Sequence, residues 1–201
     1  MEERKTDNSA SRSRSSPGFH AFLDCVEPSP KYHILDLGYP LAANVAYLSS
    51  RFPGRVYVAD LFTAIEAERL PESVDIGRWR SLFPRLLDLS SDVQFDAIIT
   101  WDVFNYLQRD ALTALIAHLG AFSRSGTALF AMIATHKTIP ARPWYCRIVD
   151  ENRISCDADS AVVTDAPRYT AGALEKIMAG FRLQRSFLLS HGVQEYVYRR
   201  Q

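Results

Sequence analysis

Two acids end short apolar runs, Asp36 after "YHIL" and Asp60 after "RVYVA", and a third, Asp88, sits inside "RLLDLS". An acid at the carboxyl end of a buried strand faces whatever binds along that edge of a sheet. Leu37-Gly38-Tyr39 follows Asp36 directly, and a glycine there lets the backbone come close to a ligand. Asp36 can fix that turn or accept from a ligand's ammonium group. Asp60 lies 22 residues beyond Gly38, a spacing at which a carboxylate accepts from both hydroxyls of a ribose. Each acid also has an ordinary reading: Asp36 caps its own turn, or Asp60 caps a helix starting at Thr63. Farther on, Asp102 follows "FDAIITW" and His136 follows "GTALFAMIAT". Both suit a proton acceptor or a substrate anchor, and both suit structural duty.

These residues need elements to hold them. "FHAFLDCV" reads as a leading helix stopped by "EPSP". Residues 43–51, 63–70 and 76–86 have helical spacing. So has "RDALTALIAHLGAF", with Leu112, Leu115, Ile116 and Leu119 on one face. "YHILDLG", "RVYVADL", "RLLDLS", "FDAIITW" and "GTALFAMIAT" read as strands between them. Alternation of strand and helix implies a mostly parallel sheet covered on both faces. After a helix in "TAGALEKIMAGF", the runs "RLQRSFLLS" and "VQEYVYRR" are separated by His191-Gly192 alone, which makes them an antiparallel pair. Residues 135–168 interrupt the rhythm with a Pro-, Arg- and Asp-rich insert, expected to contain a small hairpin.

Composition narrows the function classes. The chain has 201 residues, 47% hydrophobic and 23% charged, which fits one globular domain over residues 19–201. Basic and acidic residues both number 23, so there is no electrostatic footprint for nucleic acid. Residues 1–18 are Ser- and Arg-rich with no apolar run, which reads as a disordered tail and not as a secretory signal or a membrane span. The expected setting is the cytoplasm. Cys25, Cys146 and Cys156 lack zinc spacing, and buried free thiols are expected, with a hairpin-closing Cys146–Cys156 bond as the alternative. No metal is expected.

A doubly wound, seven-stranded sheet closed by an antiparallel hairpin resembles the class I S-adenosylmethionine-dependent methyltransferases, a Rossmann-like fold. The resemblance spans about residues 30–201 and rests on "ILDLG", "VYVADL", "FDAIITWDVFNYL" and "YTAGALEKIMAGFRLQRSFLL". It implies S-adenosylmethionine as cofactor. It implies that Asp36, Gly38, Tyr39, Asp60, Leu61, Asp88 and Trp101 surround it, with Asp102 and His136 as catalytic candidates. The family turn reads Asp-x-Gly-x-Gly-x-Gly, whereas here it reads Asp36-Leu-Gly38-Tyr-Pro40-Leu-Ala42. Pro40 removes an N–H donor and fixes φ. That is more damaging to a pyrophosphate-bearing dinucleotide than to a sulfonium ligand. Two functions therefore remain open: methyl transfer to a small molecule, or a methyltransferase-like binding or scaffold protein without catalysis. "WDVFNYL" differs from the Asn/Asp-Pro-Pro-aromatic motif of base-methylating relatives. The insert, with Trp144, Tyr145 and several arginines, suits a lid over a small substrate or a flap for a protein partner.

Overall fold

The computed structural model describes residues 13–71, 73–158 and 161–201. In chain order the strands are β1 (Arg14–Ser15), β2 (Tyr32–Asp36), β3 (Gly54–Val58), β4 (Phe95–Ile99), β5 (Ser123–Ala134) and β6 (Thr138–Pro140). They continue as β7 (Tyr145–Asp150), β8 (Arg153–Asp157), β9 (Val163–Asp165), β10 (Phe181–Leu188) and β11 (Val193–Arg200). The helices are α1 (Pro17–Cys25), α2 (Ala42–Arg51), α3 (Leu61–Ala67), α4 (Ile76–Leu87), α5 (Arg109–Ala121) and α6 (Ala171–Ile177), with a 3-10 turn over Val103–Tyr106.

The main sheet has six strands in the order β10-β11-β5-β4-β2-β3. β3, β2, β4 and β5 run parallel, and β11 runs antiparallel to both β5 and β10. The hairpin turn takes up residues 189–192, wider than His191-Gly192 alone.

The expected seventh strand, "RLLDLS", is not a strand. Trp79, Leu82, Phe83 and Leu87 are buried at helical spacing, and α4 carries on through them. Asp88 then caps that helix in the left-handed region, at φ 37°. The side-chain period of that stretch is 3.6, and the short apolar run at its end belongs to the helix's buried face.

Two apolar layers enclose the sheet. On one face Leu35, Ile98 and Leu129 pack with α4, α5 and α6. On the other, Ile34, Ile99, Phe130 and Met132 pack with α1, α2 and the β7–β8 hairpin. Alternate residues of each strand thus serve opposite layers, as a sheet buried on both faces requires.

The segment from Arg14 to Cys25 is part of this second layer. Residues 1–12 of the expected tail lie outside the described residues, but Arg14–Ser15 pair with Arg153–Ile154 of β8. Ser16 then caps α1, and Pro17 takes its first turn. Glu195 of β11 is fully buried at this helix end, accepting from the Ser16 hydroxyl (2.6 Å) and the Gly18 N–H (2.7 Å). Gly18 is required there, because a Cβ would come within 2.5 Å of the Glu195 side chain.

The insert is more structured than one hairpin. β6 pairs with β9, and β7 with β8. Cys146 and Cys156 face each other across β7–β8 and form a disulfide, so the free-thiol expectation holds only for Cys25. Among the described residues, no helix is long and apolar enough to cross a membrane.

Phe130 joins α1 to the sheet, touching Phe19 (5.6 Å between ring centroids), Phe22 (5.8 Å) and Trp101 (6.0 Å). Phe130→Ala is expected to lower stability by about 3–5 kcal/mol in a urea unfolding titration. A loss below 1 kcal/mol would mean that this layer is not a packed core.

Candidate functional site

The carboxyl ends of β2, β3 and β4 place Asp36, Asp60 and Asp102 along one edge of the sheet, but they do three different things. Asp36 turns inward. It is 1% exposed, and its Oδ1 accepts from the Gly38 N–H (3.0 Å) and from the Trp101 indole N–H (2.7 Å). Burial pushes its carboxyl up to about 6, against the pull of those two donors. Of the two sequence readings of Asp36, the geometry realises the one that fixes the turn.

Trp101 explains why. Its backbone has φ 48°, an uncommon conformation for a bulky residue. That reversal sends the indole back over Gly38, where it stacks on Phe19 at 6.0 Å and is 2% exposed. A Cβ at position 38 would lie 2.3 Å from Trp101 Cδ1, so the glycine makes room for a side chain of its own protein.

Asp60 turns outward. Its Oδ1 accepts from Thr63 N–H at 3.1 Å, capping α3, while the second oxygen has no partner among the described residues. The capping and ligand-binding readings are compatible here. Asp60 borders a cavity of about 30 Å³ with Gly38, Tyr39, Phe62, Arg142 and Tyr145. That is room for about two water molecules. Leu61, beside it, is buried in the core and reaches the edge only through its backbone. Tyr39 is 45% exposed and meets Tyr145 edge-on at 4.4 Å.

Asp102 is 4% exposed. Its Oδ2 accepts from the Trp144 N–H at 3.1 Å, and its Oδ1 is buried without a partner among the described residues. Burial pushes this carboxyl up to about 7, opposed by the Trp144 N–H and the Arg14 guanidinium. A cavity of about 10 Å³ lies beside it, bordered by Tyr106, Met132 and Trp144. His136 is exposed past the end of β5, with Nε2 3.3 Å from the His191 carbonyl oxygen. Asp88, at the end of α4, borders neither cavity.

Sequence reasoning missed the residues that close the edge. Tyr106 donates its hydroxyl to the carbonyls of Pro140 (3.1 Å) and Arg142 (2.8 Å). Arg142 pairs with Glu66 and lies over the Phe62 ring at 5.5 Å. Asn44 of α2 clamps the hairpin, donating to the Cys146 carbonyl and accepting from the Ile148 N–H, both at 2.9 Å. The lid reading of the insert and the aromatic-rich "WDVFNYL" pointed toward these contacts; nothing in "AANVAY" marks Asn44.

The S-adenosyl compound that the sequence resemblance implies would meet a divided site: Asp60, Gly38 and Tyr39 border one cavity, Asp36 is committed to Trp101, and residues 142–145 close the edge. Among the described residues, no cluster of His, Cys, Asp or Glu could hold a metal ion.

The Asp102 carboxyl carries a pH signature. It holds its proton more tightly in the folded protein than in the unfolded chain. Its contribution to stability is therefore full below about pH 4 and lost as pH rises through about 7, by at most about 1.4 kcal/mol per pH unit. Asp102→Asn keeps an acceptor for Trp144 and removes the titration. Compared with the parent by thermal melting, it is expected to gain relative stability between pH 5 and pH 8. A difference that does not change with pH would contradict this burial.

No protein-family model matches the chain, and no curated protein matches it. Solved structures do. The CcbJ methyltransferase of Streptomyces caelestis is 12% identical, with a TM-score of 0.51 over 92% of this chain and 94% of that one. DesVI of Streptomyces venezuelae is 12% identical, with a TM-score of 0.50 over 92% of this chain and 91% of that one. An S-adenosylmethionine-dependent methyltransferase of Clostridium acetobutylicum is 14% identical, with a TM-score of 0.49 over 90% of each chain. Strand order, the antiparallel β11 and the likeness to CcbJ and DesVI agree: the chain has the fold of the class I S-adenosylmethionine-dependent methyltransferases.

Proposed function

We propose that the protein binds S-adenosylmethionine at the carboxyl edge of its sheet and transfers the methyl group to a small-molecule acceptor. One observation carries this reading: Asp60, just past the end of β3, borders the cavity beside Gly38 and has one carboxylate oxygen without a partner among the described residues. That oxygen suits a ribose hydroxyl. The bound cofactor would supply an already activated methyl group, leaving the chain to align the acceptor and remove its proton. Asp102 suits the proton-accepting role, since its unpartnered Oδ1 and raised affinity for a proton are those of a base working near neutral pH. His136, exposed on the same edge, is the second candidate.

Asp36 and Trp101 act as support in this reading. They hold the turn at Gly38 and leave the cofactor to sit outside the indole. Asp88 has no part in it.

A second reading is favoured by one specific observation. The indole over Gly38 fills ground that a cofactor's amino-acid end would need, as in a methyltransferase-like protein that binds a partner through the 135–168 insert without catalysis.

Calorimetric titration with S-adenosylhomocysteine separates the two. Micromolar binding, about −8 kcal/mol, is expected, weakened at least tenfold by Asp60→Ala. No heat at millimolar ligand would favour the second reading and remove the first.

A further inference from the structure

We infer that residues 142–145 form a displaceable lid whose latches set the affinity of the cleft for S-adenosyl compounds. The inference rests on the methyl-donor reading for its ligand and on geometry for its motion. This strap divides the edge in two. Arg142, Pro143 and Tyr145 border the cavity of about 30 Å³ beside Asp60. Pro140 and Trp144 border the cavity of about 10 Å³ beside Asp102. Neither space admits a nucleoside, since ligand pockets run to roughly 300–1,000 Å³. Lifting the strap joins them along the edge where Asp60 and Asp102 stand.

Both ends of the strap are fixed. Before it, Thr138–Pro140 pair with Val163–Asp165, and the Ala141 N–H donates to the Val162 carbonyl at 2.9 Å. After it, Cys146 is bonded to Cys156 and held through its carbonyl by Asn44. The residues between are half-buried and belong to neither pairing except at Tyr145, the first residue of β7. They can therefore swing without unfolding the sheet.

What holds the strap down is a set of separate contacts. Among the described residues they include the Trp144 N–H on Asp102, the Tyr106 hydroxyl on the Arg142 carbonyl, the Arg142–Glu66 pair, the Tyr145 ring on Tyr39, and the guanidinium groups of Arg142 over Phe62 and of Arg14 over Trp144. Each is a single hydrogen bond, ion pair or ring contact, so none alone commits the strap to one state. A ligand that needs the open state has its affinity reduced by the fraction of molecules that are open. Weakening a latch must then tighten binding.

The test uses the full chain, Tyr106→Phe and Arg142→Ala, with thermal melting to show that each variant folds. Two readouts are taken: S-adenosylhomocysteine affinity by calorimetry and the rate of chymotryptic cleavage after Trp144 or Tyr145. Both variants are expected to bind about 5- to 10-fold more tightly than the parent and to be cleaved faster. Equal affinities in proteins that do bind, or equal cleavage rates, would overturn the lid. Faster cleavage with no binding in any of the three would uphold the lid and overturn the methyl-donor reading instead.

Discussion

The turn at the carboxyl end of β2 depends on one hydrogen bond, donated by the Trp101 indole to Asp36 across Gly38. It explains the left-handed backbone at residue 101, which at other positions would be strained without return. It explains the glycine at 38, where a Cβ would be pressed against that ring. It also removes Asp36 from the ligand's reach. The acid stays at its usual place on the sheet while its chemistry is turned inward.

The second layer of the fold is built around that indole. Phe19 stacks on it, Phe130 meets its edge, and α1 is thereby brought over the sheet. The helix start is fixed in turn by Glu195, a buried acid whose partners are a hydroxyl and a backbone N–H, with no ion pair in direct contact. A buried acid with such partners is expensive to leave unpaired, so it specifies one docking of the helix. Asp102 is the exception among these buried acids, because one of its oxygens has no partner among the described residues. Incomplete satisfaction of a buried polar group is a feature that structure alone does not favour, and it is what singles out Asp102 among the edge acids.

Much of the fold was legible in the sequence because periodicity encodes it. β2, β4 and β5 are continuous apolar runs, α5 has its apolar face at i, i+3, i+4 and i+7, and the final hairpin has no room for a crossover. "RLLDLS" misled because its apolar residues are the last turn of a helix whose period is visible only from Trp79 onward. The cap that Asp60 makes on α3 was legible. The direction of the Trp101 side chain was not, since it depends on a backbone conformation that a bulky residue rarely adopts. The closing of the edge was hidden for a different reason. It depends on pairings distant in sequence, with Arg14 on Ile154 and Asn44 on Cys146, which no local pattern announces. The insert's composition showed that it was irregular and not where it would lie.

In this view the edge has one fixed element and one movable one, the indole and the strap, and their separation is the central claim. It is tested most directly by following the Trp101 indole N–H in proton–nitrogen NMR, assigned with Trp101→Phe among the three tryptophans of the chain. The signal is expected to be protected from hydrogen exchange, and to remain so when S-adenosylhomocysteine is added. Rapid exchange in the free protein, or loss of protection on adding ligand, would mean that the indole itself is the gate and that Asp36 is not committed to it.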